Sequence, residues 1–236
     1  MNKFNFGAMS LISGLALSLS AAPLLAATFT FSQAPDIQGP SLSQTVAGVT
    51  LTATGYSYTP TTTIGGAVTL GAQADVIIQN QGLGVCDNLS TSPTSLAQCG
   101  QPLVDAIPNN GGPELAKFTF SKAINVLSVS FNQNDQNDDV DLFAGTPLSF
   151  YLRDTTSLSG GPTGDVISLA GNAAFQGITM FGVGLFDHPT NGAGNTSDQV
   201  RIASITFEIA AVPVPAGAVL MLTALGGLGF ARKRKS

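Results

Sequence analysis

Lys117-Phe-Thr-Phe-Ser-Lys-Ala-Ile-Asn-Val-Leu-Ser-Val-Ser-Phe-Asn132 is the stretch that decides how this chain folds. Phe118 and Phe120 alternate with Lys117 and Thr119. Leu127, Val129 and Phe131 alternate with Ser128, Ser130 and Asn132. A period of two, apolar against polar, belongs to a strand with one face buried and one face wet. The reading is therefore two strands, over 117–120 and 127–132.

The same pattern spreads outward in both directions. Upstream, Phe29 and Phe31 alternate with Thr28, Thr30 and Ser32, and Val49, Leu51 and Ala53 alternate with Thr50, Thr52 and Thr54. Val68-Thr-Leu70 and Val76-Ile-Ile78 are short strands, and Gly82-Leu-Gly-Val85 leads into a Ser/Thr/Pro-rich loop. Downstream, Leu148, Phe150 and Leu152 form a strand capped by Arg153-Asp154. A Gly-rich turn over 159–164 precedes Val166-Ile-Ser-Leu169. The segment 178–186 is nearly continuous apolar and Gly, a core strand; 187–199 is a polar loop; 200–209 closes the domain. Apolar parity changes between Ile202 and Ile205, which places a β-bulge at Ala203-Ser204. Gly, Asn, Asp and Pro punctuate the chain every ten residues or so, and no helical periodicity appears between the two ends. Many short strands without a fixed-period repeat predict an all-β fold: a single jelly-roll-like β-sandwich over residues 28–211.

The two ends read differently. In residues 1–27, Lys3 is followed by the apolar run Leu11–Leu19, by Pro23, and by the small residues of Leu25-Ala26-Ala27. That is the layout of a secretory signal peptide cut by signal peptidase after Ala26 or Ala27. In residues 212–236, a proline-punctuated stretch of Val212, Pro213, Val214, Pro215, Ala216 and Gly217 leads into an uncharged run, and Arg232, Lys233, Arg234 and Lys235 follow it. The uncharged residues 214–231 span about 27 Å as a helix, enough for a bilayer core. Four cations directly after an apolar run belong on the cytoplasmic side, which leaves the domain outside the inner membrane. Pro213 and Pro215 hold Val212 and Val214 extended and remove hydrogen-bond donors, so this short stretch suits a protease groove.

The segments Val212–Gly217, Leu220–Gly229 and Arg232–Lys235 together resemble the VPLPA-CTERM sorting signal, a variant of the PEP-CTERM signals of Gram-negative bacteria; Val214 stands where that signal usually has Leu. The resemblance implies recognition by an exosortase, a membrane cysteine protease that removes the tail, in cells that often also make exopolysaccharide. Further pieces have the order seen in exported β-sandwich domains that carry this tail: Gly82-Leu-Gly-Val-Cys86, Asp105, Glu114-Leu115, Leu127-Ser-Val-Ser-Phe131 and Asp138-Asp-Val-Asp-Leu142. That likeness implies fold and export, and no activity.

Charge is segregated along the chain. Outside the ends the cations are Lys117, Lys122, Arg153 and Arg201, while all fourteen acids lie between Asp36 and Glu208, so the domain is four against fourteen, a net of −10. Such a field repels nucleic acid and anionic lipid and attracts divalent cations. Cys86 and Cys99 are the two cysteines. In an exported chain they are expected to pair, stabilising by about 3 kcal/mol in the chain-entropy model.

The densest polar segment is Asn132-Gln-Asn-Asp-Gln-Asn-Asp-Asp-Val-Asp141. Asn132, Asn134, Asp135, Asp138, Asp139 and Asp141 offer the oxygens that Ca²⁺ takes, with Asp105 and Glu114 as distant partners. Asp139 and Asp141 would share one strand face with Val140 opposite. The competing reading is a wet loop built from turn-forming residues. Asp187-His188 and the many serines form no nucleophile-elbow pattern, so catalysis is not expected. Trp is absent, and Tyr56, Tyr58 and Tyr151 are the tyrosines that could serve a sugar. The expectation is an exported cell-surface or matrix protein with a structural or adhesive role. A calcium-dependent module for exopolysaccharide is the first alternative and a secreted hydrolase the second.

Overall fold

A computed structural model describes residues 25–32, 37–59, 61, 63–79, 82–86, 107–108, 114–132, 140–154, 165–185 and 199–211. Among them run β1 (Ala27–Thr30), β2 (Ile37–Gly39), β3 (Leu42–Val46), β4 (Val49–Thr59), β5 (Thr69–Gln79), β6 (Gly82–Cys86) and β7 (Ile107–Pro108). They are followed by β8 (Glu114–Asn132), β9 (Val140–Ala144), β10 (Ser149–Asp154), β11 (Asp165–Ser168), β12 (Ile178–Leu185) and β13 (Gln199–Ile209). A single 3₁₀ turn, Ala173–Phe175, interrupts the described strands. The fold is all-β.

The two strands read at 117–120 and 127–132 are one strand, β8, of 19 residues. Nothing in Ser121-Lys-Ala-Ile-Asn-Val126 makes a turn, so the chain stays extended through it. Its first half pairs with β4 on one side and β12 on the other; its second half pairs with β13 and β11. Drawn straight, β8 would be roughly 60 Å long. It cannot be straight. Val140 pairs with Leu185, and Leu185 with Glu114, so Val140 lies about 10 Å from the start of β8. Only seven residues lie between Asn132 and Val140 along the chain, a reach of about 28 Å. The ends of β8 are thus folded toward each other around the core.

Hydrogen bonding runs β1-β13-β6-β5-β4-β8-β12-β9-β10, and the β13–β8 pairing closes the circuit β13-β6-β5-β4-β8 on itself. The enclosed core is rich in phenylalanine. Phe29 stacks on Phe207 at 4.8 Å and meets Phe120 at 6.2 Å, while Phe31 meets Phe118 and Phe118 meets Phe181 at 6.1 Å. The Thr-Phe-Thr-Phe alternation of residues 28–31 thus ties β13 to the first half of β8, and offset rings at these spacings add to what their burial contributes.

The bulge expected on the last strand is present: the β13–β8 register shifts between Ile202 and Ser204. A second shift, which the sequence does not announce, lies between Thr206 and Phe207. It corrects one reading. Leu127 does not share the core face with Val129 and Phe131; Val126 does, fully buried, and Leu127 is the extra residue between the Ser128 and Val126 pairings. The two shifts put one additional residue on each strand, which restores the register beyond both. The strand β9 lacks alternation because both its faces are covered: all five residues are buried.

Candidate functional site

Polar residues of the described strands fall on two separate stretches of the sheet. Asp154, Val140, Leu185, Glu114 and Ser57 form one lateral row across β10, β9, β12, β8 and β4. Asn132 pairs with Arg201, and its neighbour Phe131 with Asp165. Ala27 of β1 pairs with Phe207 of β13, so the start of the first strand lies beside the end of the last.

Three of the candidate cation ligands are within the described residues: Glu114, Asn132 and Asp141. Glu114 and Asp141 are buried, at 3% and 2% exposure, although both come from polar sequence. The pleat separates them. Glu114 lies in the row of Val140, on the side of the large core; Asp141 lies in the row of Gly184 and Leu115, on the reverse side. The described residues do not bring these two carboxylates to one point. Asp105, Asn134, Asp135, Asp138 and Asp139 lie outside the described residues, as do Asp187 and His188. Among the described residues, no group of three or more His, Cys, Asp or Glu could hold a metal ion.

Cys86 ends β6, and Cys99, its expected disulfide partner, lies outside the described residues. The whole expected sorting signal lies outside them too: Val212, Pro213, Val214, Pro215, Ala216 and Gly217 of the motif, the run 214–231, and the basic Arg232, Lys233, Arg234 and Lys235. Of the expected signal peptide, residues 1–24 lie outside as well, and Leu25, Ala26 and Ala27 are described. Among the described residues no helix is long and apolar enough to cross a membrane.

The reverse side of β8 is divided. Over β12 and β9 it is apolar: Tyr58, Leu115, Phe143, Leu148 and Phe150 form a second, smaller cluster. Gly182 and Gly184 of β12 make it possible. A Cβ on Gly184 would sit 2.9 Å from the Tyr58 hydroxyl, and one on Gly182 would sit 2.9 Å from Leu148 Cδ2. Side chains cross β12 where it has none of its own. The backbone around residues 65–68 lines the edge of β10, with bonds from Gly65 N to Phe150 O and from Phe150 N to Gly66 O.

Over β3, β4 and the start of β8 the same side is open and hydroxylated. Ser43 and Thr52 share a hydrogen bond of 3.0 Å, Thr45 and Thr50 one of 2.9 Å, and the Thr50 N–H donates to Ser121 Oγ at 2.8 Å. Thr119 stands across from Thr52, and Lys117 across from Thr54. Lys117 Nζ lies 4.5 Å from the centroid of the Tyr56 ring and donates to its hydroxyl at 3.3 Å. No family model matches the chain, and no curated protein matches it. The face therefore has to be judged on its chemistry.

That chemistry separates the three tyrosines. Tyr58 is buried in the smaller cluster, and Tyr151 packs edge-on to Phe175 at 6.3 Å. Tyr56 alone of the three stands on the hydroxyl face, with a cation beside it. Sequence reading missed the Lys117–Tyr56 pair because 61 residues separate the partners. The usable signal was the repeated Thr-x-Thr of 50–54, which marks an outward strand face without saying what lies next to it.

Proposed function

We propose that this chain is an exported, exosortase-sorted surface protein, held for a time in the inner membrane and then released to the cell surface or matrix. Its folded body would be a jelly-roll-like β-sandwich with a structural or adhesive role and no catalytic one. The observation that carries this reading is the three-part tail, Val212–Gly217, 214–231 and Arg232–Lys235. Exosortase and signal peptidase are the partners it implies. Two features of the body support it. Ala27 and Phe207 are cross-strand partners, so both apolar ends leave from adjacent strands. Ala27 belongs to β1, so a cut after Ala26 keeps that strand whole. Intact-mass measurement of surface-released protein tests the reading. The expected mass begins near Ala27 and ends near Pro215; a mass that retains Arg232–Lys235 would remove it. Non-reduced protein is expected to show no free thiol at Cys86 or Cys99.

A second reading, calcium-dependent binding of exopolysaccharide, draws on Asp141, a buried carboxylate directly after the acidic residues of 132–139. Four acids within seven residues of sequence, Asp135, Asp138, Asp139 and Asp141, would repel one another, and a divalent ion would relieve the repulsion. Thermal melts with calcium and with chelator check it: a higher midpoint with calcium is expected, and superimposable curves would dispose of the cation.

A further inference from the structure

We infer that removal of the signal peptide after Ala26 creates a charge for which the body already holds the partner: the new α-ammonium of Ala27 pairs with the carboxylate of Glu208 on β13. The inference rests on the export reading above and selects one of its two cuts. The first observation is the β1–β13 ladder. Phe31 donates its N–H to Ala203 O at 2.9 Å, and Ala27 stands four residues earlier in the same register, opposite Phe207. In an antiparallel pair the bonding pattern repeats every second residue. The Ala27 nitrogen therefore faces β13, toward the Phe207 carbonyl, and the Thr28 nitrogen faces away.

The second observation is Glu208 itself. The hydroxyls of Thr28 and Thr206 meet at 3.1 Å, which fixes the outer side of both strands. Glu208, two residues beyond Thr206, stands on that side, one peptide past the carbonyl that Ala27 faces. It is half-buried and has no hydrogen-bond or ion-pair partner among the described residues. On β8 its neighbour is Asn125, whose Oδ1 accepts from Gly177 N at 2.9 Å. Lys122 directs its Nζ elsewhere, to 3.6 Å from where a Cβ on Gly48 would sit. The other strand near β1, β3, carries no charged residue. In the uncut chain the Ala27 nitrogen is a neutral amide with one hydrogen. Hydrolysis of the Ala26–Ala27 bond gives the hydroxyl of water to Ala26 and its hydrogen to the Ala27 amine, which is protonated below pH about 8. The ammonium has three hydrogens, one for the Phe207 carbonyl and two for Glu208. A cut after Ala27 would put the ammonium on Thr28, facing away, and would remove the first residue of β1. Only a chain cut after Ala26 gains this tie between its first and last strands.

Titration of the amine tests the pair. Exported protein is recovered in mild detergent and its first residue is read by N-terminal sequencing. Its α-amino group is then titrated through the rate of acylation by an activated ester from neutral to alkaline pH. The expected first residue is Ala27. The parent's midpoint should lie about 0.3–0.7 pH unit above that of Glu208→Gln, the size of a half-exposed ion pair. Sodium chloride should narrow the gap. Asp165→Asn removes the same charge from β11 and should keep the parent's midpoint; circular dichroism melts confirm that both variants fold. A midpoint unmoved in Glu208→Gln, or moved as far in Asp165→Asn, overturns the inference and leaves the export reading standing. So does a chain that begins at Thr28. A recovered chain that still begins at Met1 removes the export reading and the inference with it.

Discussion

The two sides of β8 come from one alternating sequence and have different fates. On the inner side Ala116, Phe118 and Phe120 are buried without interruption. On the reverse side Leu115 is fully buried, while Lys117 is half-buried and Thr119 and Ser121 are exposed, within seven residues of one strand. The inner side is covered because the second half of β8, with β1 and β13, folds over it. Among the described residues, the reverse side is covered only where Tyr58, Phe143, Leu148 and Phe150 reach across β12. Alternation therefore specifies that a strand has two sides. It does not specify how much of the second side is dry.

The largest effect should come from the inner side. Phe118→Ala removes a ring that meets both Phe31 and Phe181, and is expected to cost about 3–5 kcal/mol in chemical denaturation. A loss below about 1 kcal/mol would mean the core collapses into the space and the ring contacts are not specific. The dry part of the reverse side should respond to added rather than removed volume. Gly184→Ala pushes a methyl against the Tyr58 ring and hydroxyl and should cost about 1–3 kcal/mol. An unchanged melting temperature would show that Tyr58 has room to move, and would dissolve the distinction between the two parts.

The wet part should hardly register in stability. Lys117→Gln forfeits a half-exposed cation–π contact with Tyr56 and is expected to cost at most about 1 kcal/mol. Thr119→Val, at an exposed strand position, should stay within about 0.5 kcal/mol of the parent by thermal melt. A larger loss in either would show that this face contributes to stability.

Much of this was legible in the residues alone. The alternation of Phe29 and Phe31, of Val49–Thr54 and of Phe118–Phe120 names the core side of β1, β4 and β8 because neighbouring side chains in an extended chain point to opposite sides. The parity change at Ile202–Ile205 locates the bulge of β13 for the same local reason. The apolar and basic ends, and the pairing expected of Cys86 with Cys99, are expectations from composition and order that rest on residues outside the described ones. What the residues could not disclose is lateral. That 117–120 and 127–132 are one folded-back strand, that Val126 rather than Leu127 enters the core, that Glu114 and Asp141 lie on opposite sides, and that Lys117 meets Tyr56 all depend on which strands lie side by side and in what register. A local period of two carries no information about a partner sixty residues away; the packing of the whole core selects it.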